Sequence, residues 1–214
     1  MNFDYKKYPV TSGLIGICVV VYLYTTIKYG LEMNAYEGIE AGGFNPIFVI
    51  AGHQYWRLIT ANFIHFGIMH IFCNCYSLVN LGTVMEYLLG TKRYLIIIIS
   101  TALATTALPT IYYLVTGSGA NSIMGGISGV IFGLMGALCA LAWKFKDVYA
   151  YLFKQISSSI LLMLLISLLV PSISLSGHVS GMIGGFVAAL ALIKFMPLNI
   201  WTRSKPESHH NLVN

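Results

Sequence analysis

The sequence predicts an all-α polytopic membrane protein, a bundle of six transmembrane helices. Three observations predict it. Hydrophobic residues make up 57% of the 214 and charged residues only 9%, against about a quarter charged in soluble domains. The mean hydropathy is +0.77. Six apolar runs, at 10–28, 62–85, 94–115, 123–143, 156–173 and 175–196, approach the roughly 17–25 residues that a helix needs to cross a bilayer. The basic residues, finally, fall on one side of those runs.

The first run follows Lys6 and Lys7, so residues 1–9 form a cytoplasmic tail by the positive-inside rule. It is too long for a cleaved signal peptide and is expected to stay as an anchor. Alternation then puts 86–93, 144–155 and the polar tail 197–214 inside as well. Ten of the twelve basic residues lie there or at the inner membrane edge: Lys6, Lys7, Lys92, Arg93, Lys144, Lys146, Lys154, Lys194, Arg203 and Lys205. Only Lys28 and Arg57 fall outside. The net charge of +5 thus orients the chain, and no nucleic-acid partner is needed to account for it. The expected location is the cell membrane, inner or plasma, with many passes and both termini cytoplasmic. Residues 10–196 read as one membrane domain in contact with the lipid bilayer.

Between the first and second runs lies the long outer segment 29–61. It mixes Glu32, Glu37 and Glu40 with Phe44, Ile47, Phe48, Tyr55 and Trp56. Long ordered loops usually serve a function, and this composition suits the outer membrane interface. Before the fourth run, 117–126 is rich in Gly, Ser and Asn and reads as a flexible outer loop. Pro171 to Ser174 separates the fifth and sixth runs. Cys18, Cys73, Cys75 and Cys139 all fall in predicted spans and read as packing residues, with no disulfide, metal or cofactor expected.

Polar side chains inside a bilayer are costly and mark functional candidates. His65, His70, Asn74, Ser128 and His178 lie in predicted spans, all toward the outer ends. At about 1.5 Å per residue, Ser128 sits roughly 7 Å below the start of its run and His70 roughly 10 Å below the start of its own; His178 enters from the same side. Helical phase, at about 100° per residue, separates His70 from Asn74 by only roughly 40° and His65 from His70 by roughly 140°. His70 and Asn74 are expected to act together, and His65 to point away in a structural role.

Gly129, Gly133, Gly136 and Ala140 form a small-residue stripe with Ser128 at its edge, and His178, Gly181 and Gly185 share a face of the sixth run. Such stripes let helix backbones approach closely in lipid. Packed together, they would bring a hydroxyl to an imidazole, as an activated nucleophile requires. The aspartates Asp4 and Asp147 are predicted cytoplasmic and the outer acids belong to the long loop, so a Ser–His dyad is expected rather than a triad. Phe132, one turn after Ser128, is placed to stack on the imidazole in place of an acid.

These residues carry a resemblance. The loop-end pair Trp56-Arg57, the series His65, His70, Asn74, the Gly-x-Ser-Gly motif from Gly126 to Gly129, and Gly-His-x2-Gly-x3-Gly from Gly177 to Gly185 together resemble rhomboid intramembrane serine proteases of the minimal six-helix bacterial type. The resemblance implies that Ser128 attacks the scissile carbonyl, that His178 carries the proton, and that His70, Asn74 and the Ser128 backbone N–H stabilise the oxyanion. It implies an acyl-enzyme. It also implies single-pass or polytopic membrane proteins as substrates, cut near the outer leaflet at small or helix-breaking residues. The fifth span or the 117–126 loop would then admit them. The additional soluble domain of some members is not expected here. A proton relay or transporter would instead need polar groups at several depths. A zinc protease would need a glutamate between histidines that face the same way.

Overall fold

A computed structural model of the chain describes residues 5–169 and 173–195. The polar tail 197–214, and the boundary at 170–172, lie outside the described residues. Among those residues the chain is helical: α1 (Pro9–Tyr29), α2 (Ala35–Glu40), α3 (Pro46–Ile50), α4 (Arg57–Thr60), α5 (Ile68–Ser77), α6 (Thr83–Leu89), α7 (Thr91–Thr116), α8 (Ser128–Lys144), α9 (Lys146–Leu169) and α10 (Leu175–Phe195). A π-helical turn over Leu78–Gly82 joins α5 to α6, so that Ile68–Leu89 runs as one rod.

Among the described residues five rods are long and apolar enough to cross a membrane: α1, α5–α6, α7, α9 and α10. The chain is thus a multi-pass membrane protein. The counterpart of the remaining predicted span is α8, which has only 17 residues and a length of about 26 Å, against a hydrocarbon core of about 30 Å. Its enclosure explains how a short helix serves here. α8 is buried from Gly129 through Leu138 and again at Ala140 to Ala142, so nearly its whole length meets protein, and only Trp143 and Lys144 at its last turn are exposed. Irregular backbone at membrane depth is tolerated only where protein or a cavity surrounds it.

Three boundaries depart from the hydropathy reading. The second rod begins at Ile68 instead of 62, because Ile64 and Gly67 are extended and Ala61–Phe63 is a separate 3-10 turn. A side chain at Gly67 would collide with the Glu32 carboxylate. The fourth begins at Ser128 instead of 123, because the chain before it is loop, with Gly126 at φ +106°. The fifth begins at Lys146 instead of 156, since its charged first turns stay helical beyond the apolar stretch that hydropathy detects.

Glycines set the packing of the central pair. A Cβ on Gly181 would strike the Gly129 carbonyl, one on Gly185 the Gly133 carbonyl, and one on Gly136 the Met182 carbonyl. The backbones of α8 and α10 therefore touch along the two stripes. Thr101 and Thr105 of α7 fill the side of α8 at Gly133 and Gly129. At the opposite end, the buried Glu86 carboxylate accepts the first free amides of α1, from Val10 (3.0 Å) and Thr11 (2.9 Å). It satisfies donors that no residue within α1 can reach.

The outer segment is ordered. Asn34 and Glu37 form a capping box on α2, and Asn45 caps α3 ahead of Pro46. Arg57 is its hub, donating from Nε to Gln54 Oε1 and from one terminal nitrogen to the carbonyls of Ile39 and Gly43, each at 2.6 Å. Its guanidinium also lies over the rings of Trp56 (4.5 Å) and Phe48 (5.1 Å). Burial lowers the pKa of this guanidinium, and the three acceptors hold its charge in place.

Candidate active site

Three helices begin at the site. Ser128 is the first residue of α8, His178 lies in the first turn of α10, and His70 and Asn74 lie in the first two turns of α5. Ser174 fixes the start of α10, accepting from Gly177 N–H at 3.1 Å. No side chain caps α8 at Ile127, so the first-turn amides, that of Ser128 included, have no acceptor within the helix.

The approach to Ser128 is braced by the outer segment. Phe44 and Met124 exchange both backbone hydrogen bonds, at 2.8 and 3.1 Å. Asn45 donates to the carbonyls of Ala120 (2.9 Å) and Ser122 (3.1 Å), and Gly126 N–H donates to Ala61 (2.9 Å). The expectation of a flexible loop over 117–126 does not hold for this stretch: Gly and Ser there serve close approach to a second backbone. Gly126 has φ +106°, a left-handed conformation that glycine adopts without steric cost.

Ser128 Oγ lies 2.8 Å from His178 Nε2. Phe132 stacks on the imidazole, centroids 4.1 Å apart and planes 16° from parallel. His178 is 6% exposed. On its far side, Nδ1 lies 2.7 Å from Ser167 Oγ of α9, a partner that sequence reasoning missed. The available signal was position: Ser167 is the last polar residue of α9.

His70 and Asn74 converge on Gly126. A Cβ there would lie 2.5 Å from His70 Nε2 and 3.3 Å from Asn74 Nδ2. The Phe66 N–H points at His70 Nδ1 across 3.4 Å, which leaves the proton on Nε2, facing the serine's segment. Asn74 Nδ2 is buried and, among the described residues, has no hydrogen-bond partner. Gly129, Gly181 and Gly185 lie at the α8–α10 seam, while Trp56 and Arg57 lie at the start of α4, ahead of α5.

His65 corrects the phase argument. Its ring is 5.0 Å from that of His70, edge to face, not turned away. The 100° rule failed because residues 64–67 are not helical. Its Nδ1 lies 3.1 Å from the Phe63 carbonyl, and it is fully buried behind His70. Among the described residues no group of three or more His, Cys, Asp or Glu side chains is placed to hold a metal ion, and all four cysteines are free thiols.

Comparison with known proteins agrees with this architecture. The Rhomboid domain family model matches residues 52–195. Over 199 residues the chain is 32% identical to Rhomboid protease GluP of Bacillus subtilis (strain 168), covering 89% of this chain and 36% of that protein. It is 26% identical over 208 residues to RHOMBOID-like protein 6, mitochondrial, of Arabidopsis thaliana (94% and 66%). It is 28% identical over 184 residues to Rhomboid protease GlpG of Yersinia pestis (strain Pestoides F), with 85% and 62% covered. The chain thus spans between 36% and 66% of the lengths of these relatives. On the family model and these identities together, the chain belongs to the rhomboid family.

Proposed function

We propose that this chain is an intramembrane serine endopeptidase that cleaves transmembrane segments of other membrane proteins near the outer leaflet. The observation that carries the reading is the 2.8 Å approach of Ser128 Oγ to His178 Nε2 beside two convergent donors, the half-buried His70 and the buried Asn74. Relatives named Rhomboid protease support it.

In this mechanism Ser128 Oγ attacks the scissile carbonyl while His178 Nε2 takes its proton. Charge builds on the carbonyl oxygen, where His70 Nε2–H, Asn74 Nδ2–H and the Ser128 amide donate. Each such donor is worth roughly 10²–10³ in rate. The tetrahedral species collapses to an acyl-enzyme as His178 returns the proton to the departing amine. Water, deprotonated by His178, then releases the acyl group. A helical substrate offers a free carbonyl only where its own hydrogen bonds loosen, so small or helix-breaking residues mark the cleavage site. In this reading residues 10–196 form the protease domain, with α8 as the fourth of six spans, and the basic loops support cytoplasmic termini in a cell-membrane protein.

The test is labelling with a fluorophosphonate in detergent or liposomes, comparing wild type with Ser128→Ala and His178→Ala. Labelling of the wild type alone is expected, together with cleavage of a transmembrane model substrate by the wild type alone. Equal labelling of all three would reject the dyad.

A further inference from the structure

Ser167 is 4% exposed and its oxygen has two neighbours, the Met163 carbonyl and His178 Nδ1, each at 2.7 Å. The first is the ordinary habit of a serine in a membrane helix, bonding back one turn to its own backbone. The second is not ordinary, because α9 and α10 are separate helices and His178 faces Ser128.

Proton bookkeeping decides the direction of every bond in the series. A carbonyl carries no proton, so Ser167 O–H donates to Met163. Its single proton is then spent, and toward His178 the oxygen can only accept. Nδ1 therefore carries the imidazole proton. In the neutral ring Nε2 is left with a lone pair, and the 2.8 Å contact to Ser128 runs from the hydroxyl to that lone pair. This is the tautomer a general base needs. With the proton on Nε2 instead, the ring would present a donor to the serine and could not accept from it.

We infer that Ser167 is a positioning residue that holds His178 with its proton on Nδ1 and its Nε2 lone pair toward Ser128, an assignment whose kinetic consequence rests on the hydrolase reading above. Phe132 fixes the plane of the ring, and Ser167 fixes its rotation and tautomer. A hydroxyl thereby does what a carboxylate does in a triad, without placing a charge at this depth.

The test compares wild type with Ser167→Ala, Ser167→Cys and Ser167→Thr, reading fluorophosphonate labelling rate, kcat and KM on a transmembrane substrate, and thermal midpoint. One hydrogen bond of ordinary strength corresponds to about tenfold in rate, so Ser167→Ala should lose about that factor in labelling and kcat with KM unchanged. Cysteine, close in shape but a weak acceptor, should be as slow as alanine, and threonine should recover most of the rate. Nitrogen-15 NMR of histidine-labelled protein, with His178 assigned by its loss in His178→Gln, should show a protonated Nδ1 in the wild type and a tautomer mixture in Ser167→Ala. Alanine and cysteine variants as fast as wild type would overturn the inference, as would a wild-type signal with the proton on Nε2. A wild type that fails to label while showing the Nδ1 proton would sink the hydrolase reading and leave the positioning role intact.

Discussion

The Phe132 ring covers one face of the His178 imidazole, 4.1 Å away and nearly parallel. Both belong to the touching helices α8 and α10, so the stack is a product of the glycine seam. An aromatic pair of this kind contributes about 0.5–1.5 kcal/mol beyond its burial. Phe132→Leu keeps an apolar side chain and removes the ring. It should slow fluorophosphonate labelling up to about tenfold, a loss seen as a slower second-order rate at saturating pH. An unchanged rate would show that the ring only fills space.

Asn74 separates activity from stability. Its buried Nδ2 has no partner among the described residues, so the native state already bears the cost of an unmet donor. Asn74→Ala should leave the thermal midpoint equal or higher, while substrate cleavage falls by roughly 10²–10³. A drop in both would mean that the amide is structural.

Gly126 is the position where a single methyl group matters most. At φ +106° any side chain is strained, at about 1–3 kcal/mol, and the added carbon would press on His70. Gly126→Ala should fold, label more slowly than wild type by at least about a hundredfold, and lose some thermal stability.

For the seam itself the comparison is between two glycines. Gly185→Ala would drive a methyl into the Gly133 carbonyl, an overpacking that costs about 1–3 kcal/mol or more. Gly16→Ala in α1 meets nothing within 4 Å and should be neutral or slightly stabilising, since glycine in a helix is less favourable than alanine by roughly 0.5–1 kcal/mol. Thermal unfolding in detergent of both variants checks the contrast. Equal midpoints would mean that α8 and α10 can part.

Much of the bundle was legible because bilayer physics writes strongly into sequence. Apolar runs located α1, α7 and α10 within a few residues, and the glycine stripes at 129–136 and 181–185 foretold which helices meet. Ser128, His178, Phe132, His70 and Asn74 come together because each lies in the first two turns of its helix. The places where the reading failed share a cause. The position of His65 and the starts of α5 and α8 differ from the helical reading because the backbone ahead of both helices is not α-helical, and helical periodicity carries no information about it. The bracing of 120–126 by 44–45 was invisible, since a backbone ladder between two loops leaves no hydropathy signature. Ser167 was passed over because a lone serine near a helix end resembles any other until its neighbour is known.

The Phe44–Met124 ladder has a consequence for what counts as the smallest working unit. The family match opens at residue 52, downstream of Phe44 and Asn45, yet those two residues hold the strand that delivers Ser128. A chain trimmed to the matched stretch would keep Ser128, His178, His70 and Asn74 and lose the clamp on the segment before α8, leaving the amide and carbonyl of Met124 to find other partners.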